Sequence, residues 1–371
     1  MPNLRQAMMA AAGAGGVGYL AYGWGANVNG SVGVGIDDVK YSSPIQILED
    51  NWLKIAGGAS FASGLKKNGT LWTWGRNDYG VLGHDDTLFR SAPAQVGSDS
   101  DWADTGDGKN HIMSIKTSGE LWNTGRGTGG AVGDGTVINR SVPVQIGSLT
   151  DWSKAFDGGN SNCVCALKTD DTLWAWGINY AGKFGNDSVI YTSSPVQVGT
   201  GMAHAAFGMN HGHRIKTDGT LWATGDNGQG QLGIGTQSYT IQFSSPVQVG
   251  SLTDWSKVYS FTSFTMALKT DGTLWGWGRS SSGSLGDGSN INRSSPVQIG
   301  SLTDWSKLHV GPEQALAVKT DGTLWTWGEN QNGSLGDGTV IDKSSPIQVG
   351  AETDWALPSN NYSSSWAIKS S

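Results

Sequence analysis

The chain has 371 residues, a net charge of −7, 57 glycines, 18 tryptophans and only two cysteines. So many tryptophans exclude a disordered chain, and the acidic balance speaks against a phosphate-binding surface of the kind nucleic acids need and for a soluble, self-repelling particle. No apolar run reaches the ~18 residues of a membrane span, and Cys163 and Cys165 stand too close on one strand face to bridge without strain, so neither a membrane segment nor a disulfide is expected.

Residues 1–17 form an arm unlike the rest of the chain. Pro2 suits a first helical turn and Leu4–Ala12 favours helix, but so short a segment does not hold a helix alone in water. Leu4, Met8 and Met9 are therefore expected to dock on another surface, a protein partner such as a capsid or tail protein, with the chain's own repeat domain as the alternative. Residues 7–21 faintly resemble a secretory leader behind Arg5, but the run is too rich in glycine and alanine to be a good apolar core, and no leader is expected. Gly13–Gly18 fits G-x-G-x-x-G, with Asp37 about 20 residues further on. A dinucleotide site needs a strand before the glycines and a helix after them. Here an alanine-rich stretch precedes and a strand follows, so the segment reads as a flexible joint and no cofactor is expected.

From residue 18 onward the chain is a repeat. Its anchor, Trp-Gly or Thr-Gly, falls at Trp24, Trp74, Thr124, Trp176, Thr224, Trp277 and Trp327, with spacings of 50, 50, 52, 48, 53 and 50. A fixed period of this length marks one supersecondary unit copied, which overrides the two or three domains that length alone suggests. In the copy at 308–356, Leu316–Lys319 reads as a short strand. Thr320–Gly322 is a tight turn in which Asp-Gly supplies the positive φ of a two-residue hairpin loop, and Thr323–Trp327 is the partner strand. Asn330–Gly333 is a second turn. Ser345–Val349 is a third strand opened by Pro346, tolerated at a strand start or edge because its missing N–H is not needed there. Asp354-Trp355 leads into the next copy. Helical periodicity is absent from the repeats, and short antiparallel strands at this spacing make propeller blades.

The glycines after the anchors, such as Gly75 and Gly328, stand where a side chain would clash or the backbone needs positive φ. Two sets of tryptophans are expected to wedge between blades, each burying roughly 150–250 Å²: those of the Leu-Trp pairs (Trp72, Trp122, Trp174, Trp222, Trp275, Trp325) and those that open the next copy (Trp52, Trp102, Trp152, Trp255, Trp305, Trp355). The C-terminal Trp366–Ser371 aligns with the strand before the Asp-Gly turn, and its missing partner is Tyr19–Trp24. One hairpin is thus split between the termini, and pairing them closes the ring and removes its open edges. The expected fold is all-β: a seven-bladed β-propeller over residues 18–371, closed by pairing of N- and C-terminal strands, behind the short N-terminal arm.

The signature Leu-Trp-x-Trp-Gly-x-Asn-x-x-Gly-x-Leu-Gly, then Pro-x-x-Val, then a Gly-rich segment ending in Ala-Leu-Lys, resembles the regulator of chromosome condensation repeat over residues 19–371. The resemblance implies a seven-bladed propeller but no single activity. The family includes guanine-nucleotide exchange factors for small GTPases, a plant ultraviolet-B photoreceptor, a bacterial β-lactamase inhibitor and many bacterial and phage proteins. The exchange factor on chromatin uses a wedge insertion and a basic tail, which this sequence lacks. The photoreceptor's Gly-Trp-Arg-His-Thr motif has no counterpart at Gly57–Phe61, Asp107–His111 or Gly208–His211. The inhibitor, a bare propeller binding through one face, is the mode left open. Ser-Leu-Thr-Asp-Trp-Ser-Lys occurs at 148–154, 251–257 and 301–307, and such consensus-like copies are similar to those of marine phage and bacterial chains.

Four histidines, His111, His204, His211 and His213, invite a metal. His211 and His213 share a strand face, yet His111 and His211 hold the place taken by Phe61, Cys163, Phe264, Gln314 and Ser364 in other copies, so a structural role fits better. Cys163 facing His211 is at most a weak zinc idea. Asp134, Asp287 and Asp337 resemble fragments of calcium loops without the dense acidic alternation, and turn chemistry accounts for them. No catalytic, cofactor-binding or metal residue is expected.

What escapes the repeat is the loop before each Ser-Pro strand. These loops lie on one side of the ring and differ most between copies. They carry Leu88-Phe-Arg90, Val137-Ile-Asn-Arg140, Val189-Ile-Tyr191, Tyr239-Thr-Ile-Gln-Phe243, Ile291-Asn-Arg293 and Val340-Ile-Asp-Lys343, the one in the fifth copy being three residues longer. Apolar tips beside a basic residue suit an interaction rim, with Phe89, Ile138, Tyr191, Tyr239, Phe243 and Ile341 as contact residues; the alternative is that they tuck beneath the loops. The expected function is a non-enzymatic structural or adhesive component of a phage virion, a decoration, tail or adhesin protein. It would be anchored by its arm and bind proteins, with no nucleic acid or membrane among its partners. The alternatives are a soluble bacterial interaction or inhibitor module and an enzyme with a site in the central channel.

Overall fold

The structure, a computed structural model, describes residues 19–156, 162–360 and 362–370. It is the closed propeller the repeat predicts: seven four-stranded antiparallel sheets. In the blade of residues 305–348 the strands run Trp305–Val310, Gln314–Lys319, Leu324–Gly328 and Lys343–Gln348, in that order from axis to rim. First strands of neighbouring blades touch one another and so line the axis. Five more blades repeat this order, opening at Trp52, Trp102, Trp152, Met202 and Trp255. The seventh is the composite. Trp355–Asn360 and Ser364–Ser370 are followed across the sheet by Tyr19–Gly25 and Tyr41–Gln46, in unbroken register from Tyr19↔Ser370 to Gly25↔Ser364. The arm, with Leu4, Met8, Met9 and the Gly13–Gly18 joint, lies outside the described residues.

The hairpin between second and third strands differs from the two-residue loop that Asp-Gly suggested. Lys319 N–H donates to Thr323 O (3.1 Å) and Gly322 N–H to Lys319 O (3.0 Å), closing a three-residue loop. Only Gly322 has positive φ, +80°. Asp321 keeps an ordinary φ and folds its carboxylate over the turn, accepting from the Thr323 N–H (2.9 Å) and hydroxyl (2.7 Å), as Asx turns do. A Cβ on Gly322 would stand 1.9 Å from Thr353 O, so both conformation and close approach fix this glycine.

The wedges between blades are also not quite the residues expected. The Leu-Trp tryptophans are only half-buried. Trp325 donates Nε1 to Thr323 Oγ1 and lies 4.4 Å under Lys319 Nζ, which also sits over Trp305 and pairs with Asp304. The same lysine between two rings recurs at Lys66, Lys116, Lys168 and Lys269. Period-two alternation puts Trp325 and Trp327 on one face of the strand, but Trp325 stands at its start, where solvent reaches it. The deep wedge is the anchor Trp327 together with the opening Trp305, both packed with Leu285 and Ile299 of the preceding blade.

The anchor indole also bonds across the interface. Trp327 Nε1 donates to Ser284 O of the preceding blade (3.1 Å), and Trp24, Trp74 and Trp176 do so to Ser334, Ser31 and Ala131. The two threonine anchors keep this bond: Thr124 Oγ1 donates to Val81 O (2.9 Å) and Thr224 Oγ1 to Lys183 O (2.6 Å). The missing indole volume is handled differently in the two. Beside Thr224, fully buried Arg214 donates to Val198 O, Phe184 O and Thr224 Oγ1 at 3.0, 3.0 and 3.2 Å. Beside Thr124 the corresponding residue is Ser114, and a small cavity remains among Leu71, Leu82, Val96, Ser114 and Thr124. Cys163 and Cys165 are buried and not joined in a disulfide.

Candidate functional site

Because successive strands alternate in direction, the long loops between third and outermost strands emerge on one face, together with the short loops between first and second strands. Each long loop is stapled from within. Asn330, buried at the loop base, accepts the Leu335 N–H on Oδ1 (3.0 Å) and donates its amide to Thr339 O and Ile341 O. Asn27, Asn77, Asn179 and Asn227 repeat this. Where Gly127 or Ser280 takes the asparagine's place, Asn139 or Asn292 near the loop's far end accepts its backbone N–H.

The aspartates that resembled calcium ligands fasten the same loops. Asp337 accepts from the Thr339 N–H and hydroxyl and pairs with Lys343; Asp134 pairs with Arg140 and Asp287 with Arg293. Burial works to raise these carboxyls, but the Thr or Ser bonds and the adjacent cation outweigh it and hold all three below the usual carboxylate value. The basic residue beside an apolar tip is therefore folded back onto its own loop, as Arg90 is onto Asp86, instead of being offered outward.

The tips themselves do not tuck beneath the loops. Phe89, Ile138, Tyr191, Tyr239 and Ile341 are 49–72% exposed. Phe243 differs: it is half-buried and packs on the cluster of Leu232, Val258 and Trp277. The extra residues of its loop lengthen the outermost strand, Ser238–Gln248, which pairs Gln242 with Asp226 and Ser238 with Asn227, as suits a segment containing Tyr, Ile and Phe. Sequence reading missed the seventh rim position, exposed Ile36 and Val39 of the composite blade. The blade's split between the termini hid it, although Ser43-Pro44 marks the strand that follows.

The histidines build no comparable surface. His211 and His213 are fully buried, 5.5 Å apart ring to ring, bonded to Thr265 Oγ1 and Ser260 Oγ at 3.1 Å each. Burial, with Lys183 nearby, pushes His211 down to about 3; burial, with His211 and Arg214, pushes His213 well down too. The buried Lys183 amine interacts with both Cys163 and His211 and donates to Met209 O (3.0 Å). Among the described residues no group of three or more His, Cys, Asp or Glu is placed to hold a metal, and no described helix is long and apolar enough to cross a membrane.

Seven four-stranded blades, built on a tandem Trp-Gly repeat and closed by their own ends, define the class as a repeat β-propeller with a stapled-loop face. The model of the RCC1-like domain family (WD40_RLD) matches residues 20–363, and the chain belongs to that family. A mouse protein, probable E3 ubiquitin-protein ligase HERC4, is 37% identical over 73 residues, which are 19% of this chain and only 7% of that protein. Among solved structures, human WBSCR16 has a TM-score of 0.84 at 18% identity, with 95% of this chain and 99% of that one covered. Prp20p of Saccharomyces cerevisiae has a TM-score of 0.85 at 18% identity, with 96% and 92% covered. At such identities the two structural likenesses speak for the fold alone.

Proposed function

We propose that the chain is a non-enzymatic, protein-binding disc that works through its long-loop face. Its setting in this reading is a phage particle, where Leu4, Met8 and Met9 of the arm anchor it to a capsid or tail protein. One observation carries the binding role: a rim of exposed apolar tips on stapled loops, with the cations beside Phe89, Ile138 and Ile341 folded back onto Asp86, Asp134 and Asp337, is contact surface on a rigid support. Prp20p, which shares the fold, is described with binding properties to Gsp1p and histones, so protein recognition has a precedent on this scaffold. The apolar, helix-favouring arm and the near-identical copies at 148–154, 251–257 and 301–307 support the virion setting.

The test uses gradient-purified virions from cells producing the full chain. The chain is expected to travel with the particles and to be released when residues 2–15 are deleted. A chain that stays free of particles would refute the virion setting; a free chain that binds one cellular protein through the same rim would make it a soluble interaction module. The triple variant F89E/I138E/I341E is expected to unfold within about 2 °C of the parent, because exposed side chains away from caps and cores change stability by about 0.5 kcal/mol or less each, yet to lose partner binding. Undiminished binding would remove this face from the mechanism.

A further inference from the structure

The first strands bring one side chain each, two residues beyond the opening position, to a common level around the axis: Lys54, Lys154, Lys257 and Lys307 from four blades, Asp104 and His204 from two others. A chain with a net charge of −7 thus sets four ammonium groups against one carboxylate at its centre. That carboxylate is engaged, Lys54 Nζ standing 2.8 Å from Asp104 Oδ1. Lys154 and Lys257 are half-buried and have no ion-pair or hydrogen-bond partner among the described residues. His204 lies between them, 6% exposed, with Phe156 at 5.0 Å and Tyr259 at 5.6 Å ring to ring, and its Nδ1 is buried without a hydrogen-bond partner among the described residues.

These groups act on one another across blades. Lys154 feels Asp104 and Lys54, Lys257 feels Lys307 and Lys154, and His204 feels both Lys154 and Lys257. Burial above all, with the neighbouring lysines, pushes Lys154 and Lys257 each down to about 8, Asp104 opposing the shift at Lys154, while burial and the two lysines keep His204 neutral. Like charges gathered in a poorly solvated channel oppose folding. The fold does not demand them, since Leu357 takes the place in the composite blade. An anion between the ammonium groups would reverse the sign of the interaction.

We propose that the axis is a binding site for a small oxyanion of the phosphate class, gripped by Lys154 and Lys257 beside His204, with Lys307 on its more exposed side. Binding is then tightest below about pH 8, where both lysines are charged, and weakens above it although phosphate itself becomes more negative. Among the described residues, the other titratable groups facing the site are Lys54 and Asp104, which pair with each other, and Tyr259 and His309 one step along the strands.

Calorimetric titration of the full chain with inorganic phosphate, phenyl phosphate and chloride at matched ionic strength tests this. Inorganic phosphate is expected to bind and raise the unfolding temperature where chloride does not, with affinity falling at least about ten-fold from about pH 7 to about pH 9.5, as both lysines lose their charge. K154M/K257M removes two partly buried charges and should fold, while losing at least about ten-fold in affinity; K307M, on the exposed side, should lose less. Phenyl phosphate binding as well as phosphate would extend the site to the phosphoryl group of a larger ligand, and its failure would restrict the site to the free anion; both agree with an oxyanion site. An equal thermal shift in K154M/K257M, the mark of general salting-out, or an equal shift with chloride, would overturn it.

Discussion

Replacing Arg214 and Thr224 together by the alanine and tryptophan of other blades is expected to leave stability within about 1 kcal/mol of the parent, while each replacement alone is clearly destabilising. The reason is that guanidinium and indole fill one site. A Cβ at Gly185 would meet Arg214 Nη2 at 2.5 Å, and a Cβ at the equivalent Gly133 would meet Trp176 Nε1 at the same distance. Arg214→Ala alone empties that site and strips the donors from Phe184 O and Val198 O, at a cost of about 3–5 kcal/mol. Thr224→Trp alone drives an indole into the guanidinium and overpacks the interface by about 1–3 kcal/mol. The double variant reproduces the Ala166–Trp176 arrangement found one blade earlier. Urea unfolding of the four proteins gives the coupling directly, and it is expected to exceed about 3 kcal/mol. Additive losses would mean that the two side chains do not share a site.

Stability is also expected to fall between pH 6.5 and about 4, ahead of most carboxylate titration. His204, His211 and His213 are buried and neutral, all with affinity for protons lowered chiefly by burial, His211 to about 3. In the unfolded chain they titrate near their ordinary value of 6.5. The unfolded state therefore takes up protons that the folded state refuses. Their stabilisation is complete above pH 6.5 and is lost progressively as pH falls toward the folded values. Each such histidine gives a slope of about 1.4 kcal/mol per pH unit, and three together about 4. Half-buried His84, lowered to about 4 by burial and Arg90, adds to the slope over the same range, from pH 6.5 to about 4. H211Q/H213M, which borrows Gln314 and Met266 from the matching places in other blades, should remove about two histidines' worth of slope. Unfolding midpoints measured between pH 6.5 and 4.5 read this, and an unchanged slope in the double variant would contradict it.

The ring was legible because its determinants are spaced and repeated. The anchor period fixed the number of blades, and Trp366–Ser371 opposite Tyr19–Trp24 gave the closing hairpin, which the register from Tyr19↔Ser370 to Gly25↔Ser364 bears out. What was not legible depends on depth and on single residues. Alternation says that Trp325 and Trp327 share a face, but not that solvent reaches the first while the second donates to Ser284 O across the interface. Arg214 looks like a surface residue in any one-dimensional reading, because only the missing indole at Thr224 gives it a place inside. On the loop face the apolar tips were readable, whereas the cations beside them were misjudged: Arg140 and Arg293 close onto Asp134 and Asp287, a pairing of side chains six residues apart that no periodicity announces.

Hydrogen exchange across Tyr19–Gly25 and Ser364–Ser370 tests ring closure most directly. Both strands lie inside one four-stranded ladder, so their amides are expected to exchange as slowly as those of the internal counterpart Leu324–Gly328. Exchange at the rate of an unstructured chain in either terminal strand, while the other blades stay protected, would contradict a ring closed by its own ends.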